Sequence, residues 1–428
     1  MTTSPGEPLA ITGIGLVTAL GLDSATSWRR LAAGESGIAP VTRFDVSGSE
    51  VPDGAEAPPL VAGAEARERA MAYLSLAGRE ALLQAGPARD PDRTMLVAGS
   101  SLAASASSDS FWEAYLRGGP DSADLARVGT YDPELALAAL SDAFSALGGA
   151  FFVSSACATG ACALAVAADL LRLGRADRAV VPGWDALDLH TFAGFAALKA
   201  LSPGAVRPFA AGRTGMKLGD GFAVLVLERP GAASRPPIAW FAGHGESADA
   251  HHLTQPDPEG RGAALAMERA LESAGLSADE IDYVNLHATA TPANDLAEYR
   301  ALAKVFGRRI EKVPLGAFKP AIGHALGGAG TVEAALTVLV LVHQFLPPTL
   351  GLAELEPEMR SLDLVPVGRP GRVRHAMSNA FGFGGVNASL VFSEEGAAGA
   401  TFASQMPLPA VRRGRGEAPP PDEAAGAR

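Results

Sequence analysis

Sulfur and lysine are the scarce chemistries of this chain: its 428 residues include two cysteines, Cys157 and Cys162, and five lysines, Lys199, Lys217, Lys304, Lys312 and Lys319. Two thiols five residues apart cannot form a disulfide framework, and no further cysteine completes a zinc site. The sulfur is therefore there for packing or for chemistry. Against 47 acidic residues stand 35 basic ones, a formal net charge of -12, which argues against nonspecific binding to nucleic acid through cationic contacts to phosphate. Arginine supplies most of the positive charge, so a lysine kept at a site marks a need that an arginine would not meet. Long apolar runs are also missing. The longest, Ala334 to Val342, is flanked by Glu333 and His343 and falls short of the roughly 20 residues that cross a bilayer, so no membrane anchor is expected. The opening MTTSPGEPLAITGIG has no basic segment followed by an apolar one; no secretory signal is expected, and a cytoplasmic location follows.

Small and apolar residues are plentiful, and the 48% hydrophobic content suffices for two domains or one large double-lobed unit. Apolar runs alternate with helical patterns, the pattern of an α/β protein with largely parallel strands. One unit is echoed. AYLSLAGREALLQAG, Ala72 to Gly86, reads as a helix stopped by glycine and leads to the strand TMLVAGSS; AALAMERALESAG, Ala263 to Gly275, leads likewise to IDYVNLHATAT. Ser47 to Ala64 reads as a surface loop, and the Pro- and Ala-rich stretch 396–428 as an unstructured tail.

Both cysteines lie in FFVSSACATGACALAVAADLLRLG, Phe151 to Gly174. FFVSS suits a buried strand, and the spacing from Thr159 predicts a helix, which puts Cys157 at a strand-to-helix turn. Free amides and partial positive charge at a helix start favour a thiolate and can hold an oxyanion. Cys162, inside the helix, reads as packing. Of the eight histidines, His287 follows the strand IDYVNL and His324 lies in KPAIGHALGGAG, both at loop mouths where α/β active sites form. His190, His244, His251, His343 and His375 have weaker settings, with His252 the best of the remainder. The glycine-rich segments GIGLVTALG and GHALGGAG lack the third glycine and the Lys-Ser/Thr that nucleotide loops require. NAFGFGGVNASLVF, Asn379 to Phe392, is a tight glycine turn entering a strand, with Phe381 and Phe383 either side of Gly382 and Gly384 beyond. It suits a mobile lid with a backbone amide facing the site.

VSSACATGA, HATATPANDLAE, KPAIGHALGGAGTVEA and SNAFGFGGVNASLVF, in that order, resemble the β-ketoacyl-acyl carrier protein synthases, of the synthase II type and related bacterial polyketide ketosynthases. The likeness runs from AITGIGLVTALG through VFSEE. It implies the thiolase fold, two similar α/β halves in α-β-α-β-α layers, divided here as 1–235 with the nucleophile and 236–395 with the histidines. It implies Cys157 as the acyl-carrying nucleophile, His287 and His324 as hydrogen-bond donors to the thioester oxygen, and Lys319 organising the histidine loop with Glu333 in support. By the same resemblance Cys157 and Phe383 amides form the oxyanion hole with Phe383 as gate. Thr289 and Thr291 bind the pantetheine arm, with Phe381, Gly382 and Gly384 lining the substrate path. Arg67 and Arg69 fall where the family docks its acyl carrier protein. The implied partners are that carrier protein and a second subunit, either another copy or a chain-length-factor-like chain; no metal or redox cofactor is implied. Two departures stand out. The family's His-Gly-Thr is His287-Ala288-Thr289 here, and GGAFFVSSAC replaces the common Gly-Pro before the nucleophile strand. A chain-length factor normally lacks the cysteine that this chain keeps; an idle scaffold that only binds carrier proteins is the competing reading.

Overall fold

The structure, a computed structural model, describes residues 6–60, 66–103, 109–124 and 132–394; the proposed tail and the Arg67 side chain lie outside the described residues. Ten strands form one hydrogen-bonded sheet. They are β1 (Leu9–Thr18), β2 (Thr94–Gly99), β3 (Ala150–Val153), β4 (Arg178–Asp185) and β5 (Gly221–Glu228), then β6 (Ala239–Ala248), β7 (Tyr283–Asn285), β8 (Leu315–Gly316), β9 (His375–Phe381) and β10 (Val386–Ser393). Their spatial order is β8-β7-β9-β10-β6-β1-β5-β4-β2-β3. Each half of that order repeats the other: β2 runs parallel to β3 and β4, and β5 is antiparallel to β4 and β1. In the same way β7 runs parallel to β8 and β9, and β10 is antiparallel to β9 and β6. The halves join where β1 pairs β6, with Leu9 opposite Phe241 and Ile11 opposite Ala239. The expected division at 235/236 falls between β5 and β6.

The helices are α1 (Ser24–Ala32), α2 (Ala66–Ala85), α3 (Asp109–Gly118), α4 (Pro133–Phe144), α5 (Thr159–Arg172), α6 (Leu189–Ala197), α7 (Arg261–Ala274), α8 (Pro292–Phe306), the single turn α9 (Lys319–Ile322) and α10 (Ala329–His343). The echo read in the sequence is now located: α2 precedes β2 and α7 precedes β7, at matching places in the two halves. Helix α2 covers β1 and β5 from outside, and α7 covers β6 and β10. Between the two halves lie α5 and α10, which pack on each other and on strands of both. That is the α-β-α-β-α layering, and it explains why β1, β4 and β5 are buried along their whole length and read as continuous apolar runs. Helix α10 illustrates the same point. The window Leu326–His343 is apolar enough to cross a membrane by composition, yet 94% of it is buried inside the fold.

The two inner helices meet at their N-termini through residues without side chains. A Cβ on Gly160 would overlap the amide and hydroxyl of Thr331, and one on Gly330 would overlap the Ala161 amide. Both obstacles include backbone, which cannot swing aside. Substituting Gly160→Ala should therefore cost about 1–3 kcal/mol through overpacking. Gly194→Ala in α6, where the added methyl meets nothing within 4 Å, should stabilise by about 0.5–1 kcal/mol. Urea unfolding of the two variants beside the parent checks both; equal midpoints for Gly160→Ala and the parent would mean that the helices separate freely.

Candidate active site

Strand β3 ends at Val153 and α5 begins at Thr159. The intervening turn is sharp: Ala156 takes φ +47, a left-handed conformation that costs a residue with a side chain. The turn is closed by the Ala158 amide donating to the Ser155 carbonyl at 3.1 Å, and the Thr159 hydroxyl accepts from the Ser155 amide at 2.7 Å. Cys157 is thereby aimed into a cavity of about 310 Å³ that His287 and His324 also line. The expectation of a thiolate is corrected. Burial pushes the Cys157 thiol up to about 11, and Asp185 and Glu333 add to the rise, outweighing the opposite pull of Lys319 and the Phe383 amide. The resting group is a neutral thiol.

Both histidines are set as neutral donors. His324 follows α9 and Gly323, whose φ of +72 and contact with the Leu218 carbonyl leave no room for a side chain. The His324 amide donates to the Lys217 carbonyl at 2.8 Å, and its Nδ1 accepts from the Leu326 amide at 3.2 Å. The proton must then sit on Nε2, which is buried and without a partner among the described residues. His287 Nδ1 faces the Lys319 ammonium at 3.5 Å; an ammonium can only donate, so this ring too carries its proton on Nε2. The rings lie edge to face, 5.5 Å between centroids. Burial first, then the positive Lys319, holds both imidazoles well below the usual histidine range.

Lys319 is wholly buried and bonds Glu333 Oε1 at 2.6 Å. The other Glu333 oxygen accepts from Asn285 at 3.1 Å, and Asn285 bonds Ser378. The loop after β7 is held from behind by α8, through two acids that sequence reasoning missed. Glu298 accepts the His287 and Ala288 amides at 2.7 and 2.8 Å, and Asp295 accepts those of Ala290 and Phe209. Ala288 and Ala290 stand at φ +42 and +58, where glycine is the undemanding choice; the clamp holds them there. The available signal was placement: Asp295 and Glu298 occupy the same buried stripe of α8 as Ala301 and Leu302. A third missed acid, Asp185, accepts from Ser100, Ser101 and the Leu102 and Gly327 amides, tying the end of β4 to the turn behind His324.

The descriptions of two family models match: "Beta-ketoacyl synthase, N-terminal domain" over residues 6–233 and "Beta-ketoacyl synthase, C-terminal domain" over 238–353. The chain belongs to the β-ketoacyl synthase family. It is 33% identical over 406 residues to the 3-oxoacyl-[acyl-carrier-protein] synthase 2 of Coxiella burnetii, covering 90% of this chain and 98% of that one. Among solved structures, the ishigamide ketosynthase/chain length factor superposes with TM-score 0.83 at 29% identity, over 91% of this chain and all of that one. A β-ketoacyl synthase from Burkholderia phymatum gives 0.80 at 32%, over 90% of this chain and 99% of that one.

Most residues expected from the ketosynthase motifs converge on the cavity. Thr289, Thr291, Phe381, Gly382 and Phe383 line it, and the two threonine hydroxyls bond each other at 2.9 Å. Gly382 lies so close to the nucleophile turn that a Cβ would come within 3.1 Å of the Cys157 amide. The Phe383 ring stacks on Phe195, centroids 5.7 Å apart. Gly384 does not line the cavity; its amide donates to the Leu253 carbonyl at 2.7 Å. Arg69 is half-buried, its guanidinium pushed down by burial and by Arg43 although Asp220 opposes this, so it does not stand as an exposed docking cation. His252 is exposed and its Nδ1 accepts from the Thr254 amide. Cys162 is buried and inert, its thiol raised by burial and by Glu246.

These buried groups dictate how stability responds to pH. Burial raises Glu298 to about 7, and Asp185 and Asp295 to about 6, so the native state binds protons that the unfolded chain does not. Their contribution is present in full below the unfolded carboxylate range and lost as pH rises through these values. His287, His324 and His343 are depressed; their contribution is present above 6.5 and lost as pH falls. Between pH 8 and 6.5 the gain from the acids, chiefly Glu298, and the loss from the three histidines are each about 1 kcal/mol and nearly cancel, so stability should stay almost flat across that window. Denaturant unfolding measured across that range checks it; a net change well above about 1 kcal/mol in either direction would contradict these environments.

Proposed function

We propose that this ketosynthase carries out a decarboxylative Claisen condensation, extending an acyl chain by two carbons from malonyl-acyl carrier protein. The observation that carries this reading is the meeting, in one cavity, of a neutral thiol with two imidazoles whose Nδ1 atoms are both occupied as acceptors. In acylation, Cys157 sulfur attacks the thioester carbonyl of an acyl carrier protein, and its proton leaves with the departing pantetheine thiol. The Cys157 and Phe383 amides, neither taken by a carbonyl among the described residues, face the developing oxyanion. In the second half, malonyl-carrier protein loses CO2. The electron pair left behind is held as an enolate whose oxygen accepts from the Nε2 protons of His287 and His324. The carbanion then attacks the acyl-enzyme carbonyl, and the Cys157 sulfur leaves as a thiolate and takes up from solvent the one proton that the overall reaction consumes. A neutral donor suits this task, because an imidazolium would release its proton to the enolate and quench it. The thiol and the two donors supply every step, so the reaction needs no metal or redox cofactor.

A carrier protein is the implied partner for both substrates, and in this reading Thr289 and Thr291, which line the cavity, bond its pantetheine arm. The sheet offers a place for a second subunit. Strand β3 pairs β2 on one side only, with Phe151 44% and Leu147 63% exposed, and unpaired apolar edges recruit another strand. A second copy or a chain-length-factor-like chain would fit it; the ishigamide relative named above is a ketosynthase/chain length factor. The burial of its most apolar helix inside the fold and its likeness to 3-oxoacyl-[acyl-carrier-protein] synthases support a cytoplasmic setting.

The half-reactions separate by mutation. Cys157→Gln should abolish the acyl-enzyme while CO2 release from malonyl-carrier protein persists. His324→Ala keeps the thiol, and should retain acylation while decarboxylation falls roughly 10²–10³-fold, the scale of one lost oxyanion donor. Intact mass reports the first and trapped CO2 the second. Acylation of Cys157→Gln, or parental CO2 release from His324→Ala, would refute this division; a parent that shows neither acylation nor CO2 release would favour the idle scaffold.

A further inference from the structure

Helix α6 ends in a Schellman motif: the Lys199 amide donates to the Ala196 carbonyl at 2.9 Å and the Ala200 amide to that of Phe195 at 3.1 Å. The position between them must be left-handed, and glycine or asparagine usually fills it. Here it is Lys199, at φ +54. In a chain with five lysines and 49 glycines, a lysine where glycine costs nothing points to a use for the ammonium.

The location indicates that use. Lys199 is exposed yet lines the same cavity as Cys157, and among the described residues it is the only lysine or arginine that does. No carboxylate or carbonyl is recorded bonding its Nζ among the described residues, whereas Lys217 bonds Asp53, Lys304 the Glu259 carbonyl and Lys319 Glu333. The one carboxylate in the cavity wall, Asp249, is spoken for: one oxygen accepts from Asn387 at 2.8 Å and the other from the Asp257 amide at 2.9 Å. The cavity wall therefore carries an exposed, uncompensated cation, Lys199, together with the buried Cys157 thiol. Amide-bonding groups, Thr291, Asn294 and Gln255, lie along it.

Resting on the condensation reading above, we propose that Lys199 is the phosphate site of the cavity, receiving the phosphodiester of the phosphopantetheine arm while its thioester reaches Cys157. A lysine suits a phosphodiester that must arrive and leave twice per cycle, since a point charge on a flexible stem holds it without fixing its orientation.

The test measures acylation of Cys157 by intact mass with three donors of one acyl group: acyl-carrier protein, acyl-phosphopantetheine and phosphate-free acyl-pantetheine. The parent should show a KM roughly five- to ten-fold lower for acyl-phosphopantetheine than for acyl-pantetheine, a preference that weakens in high salt. Lys199→Gly should erase the preference without lowering kcat at saturation, and Lys199→Arg should keep it. Because glycine relieves the left-handed strain, Lys199→Gly should also melt about 1–2 °C higher, so a loss of affinity could not be blamed on damage to the fold. A phosphate preference that survives in Lys199→Gly overturns the proposal. So does a parent without preference whose Lys199→Gly variant is impaired only with acyl-carrier protein, since the lysine would then meet the acidic protein surface. If the parent takes an acyl group from none of the three donors, the condensation reading itself is what fails.

Discussion

The catalytic centre depends on how closely two helices can approach. Helices α5 and α10 occupy equivalent places in the two halves, and their first turns touch through Gly160, Gly330 and the backbone around them. One brings Cys157 just before its start; the other is preceded by the turn carrying His324. Were either helix held away by a single methyl group, thiol and imidazole would no longer share a cavity, although each half would keep its own hydrogen bonds. The duplicated architecture thus does more than fill a core. It delivers residues from distant stretches of chain to one point, because helix N-termini related by the repeat converge at the centre of the molecule.

Within that centre a single positive charge sets the chemistry. Lys319 is buried, paired with Glu333 and faces His287. Its charge discourages a second cation nearby, so both imidazoles stay neutral and act as donors of shape and polarity only. The acids around them follow the opposite logic. Glu298, Asp295 and Asp185 are buried mainly to accept backbone amides, and they hold loops whose left-handed alanines would otherwise relax. Charge beside the two imidazoles is concentrated in one ion pair, and position is maintained by carboxyl groups that bind the main chain.

Much of this was legible before any coordinates. The echo of helix and strand anticipated the correspondence of α2–β2 with α7–β7, because both copies kept the apolar spacing and the terminal glycine that define a helix end. Cys157, His287 and His324 could be picked out because reactive groups at strand ends, among small residues, leave a local signature. Three things had none. The raised thiol depends on how deeply the turn is buried, which no neighbouring residue reveals. Glu298 acts on a histidine eleven positions earlier, through a helix face that reads as merely interrupted. Arg69 looked like surface because its helix was read without Arg43 and Asp220, which reach it from remote segments.

The repeat is imperfect at the rims of the sheet. Strand β3, at one end, offers an open apolar edge, whereas its counterpart β8, at the other end, is two residues long and buried. An edge strand is a valence. A chain with two of them could add neighbours at both ends and grow without limit, as sheets do in fibres. Here one of the two is only two residues long and buried, which leaves a single open edge for one neighbour. A second chain pairing there would close the assembly at two, and the difference between the halves would act as the terminator of an otherwise self-templating sheet.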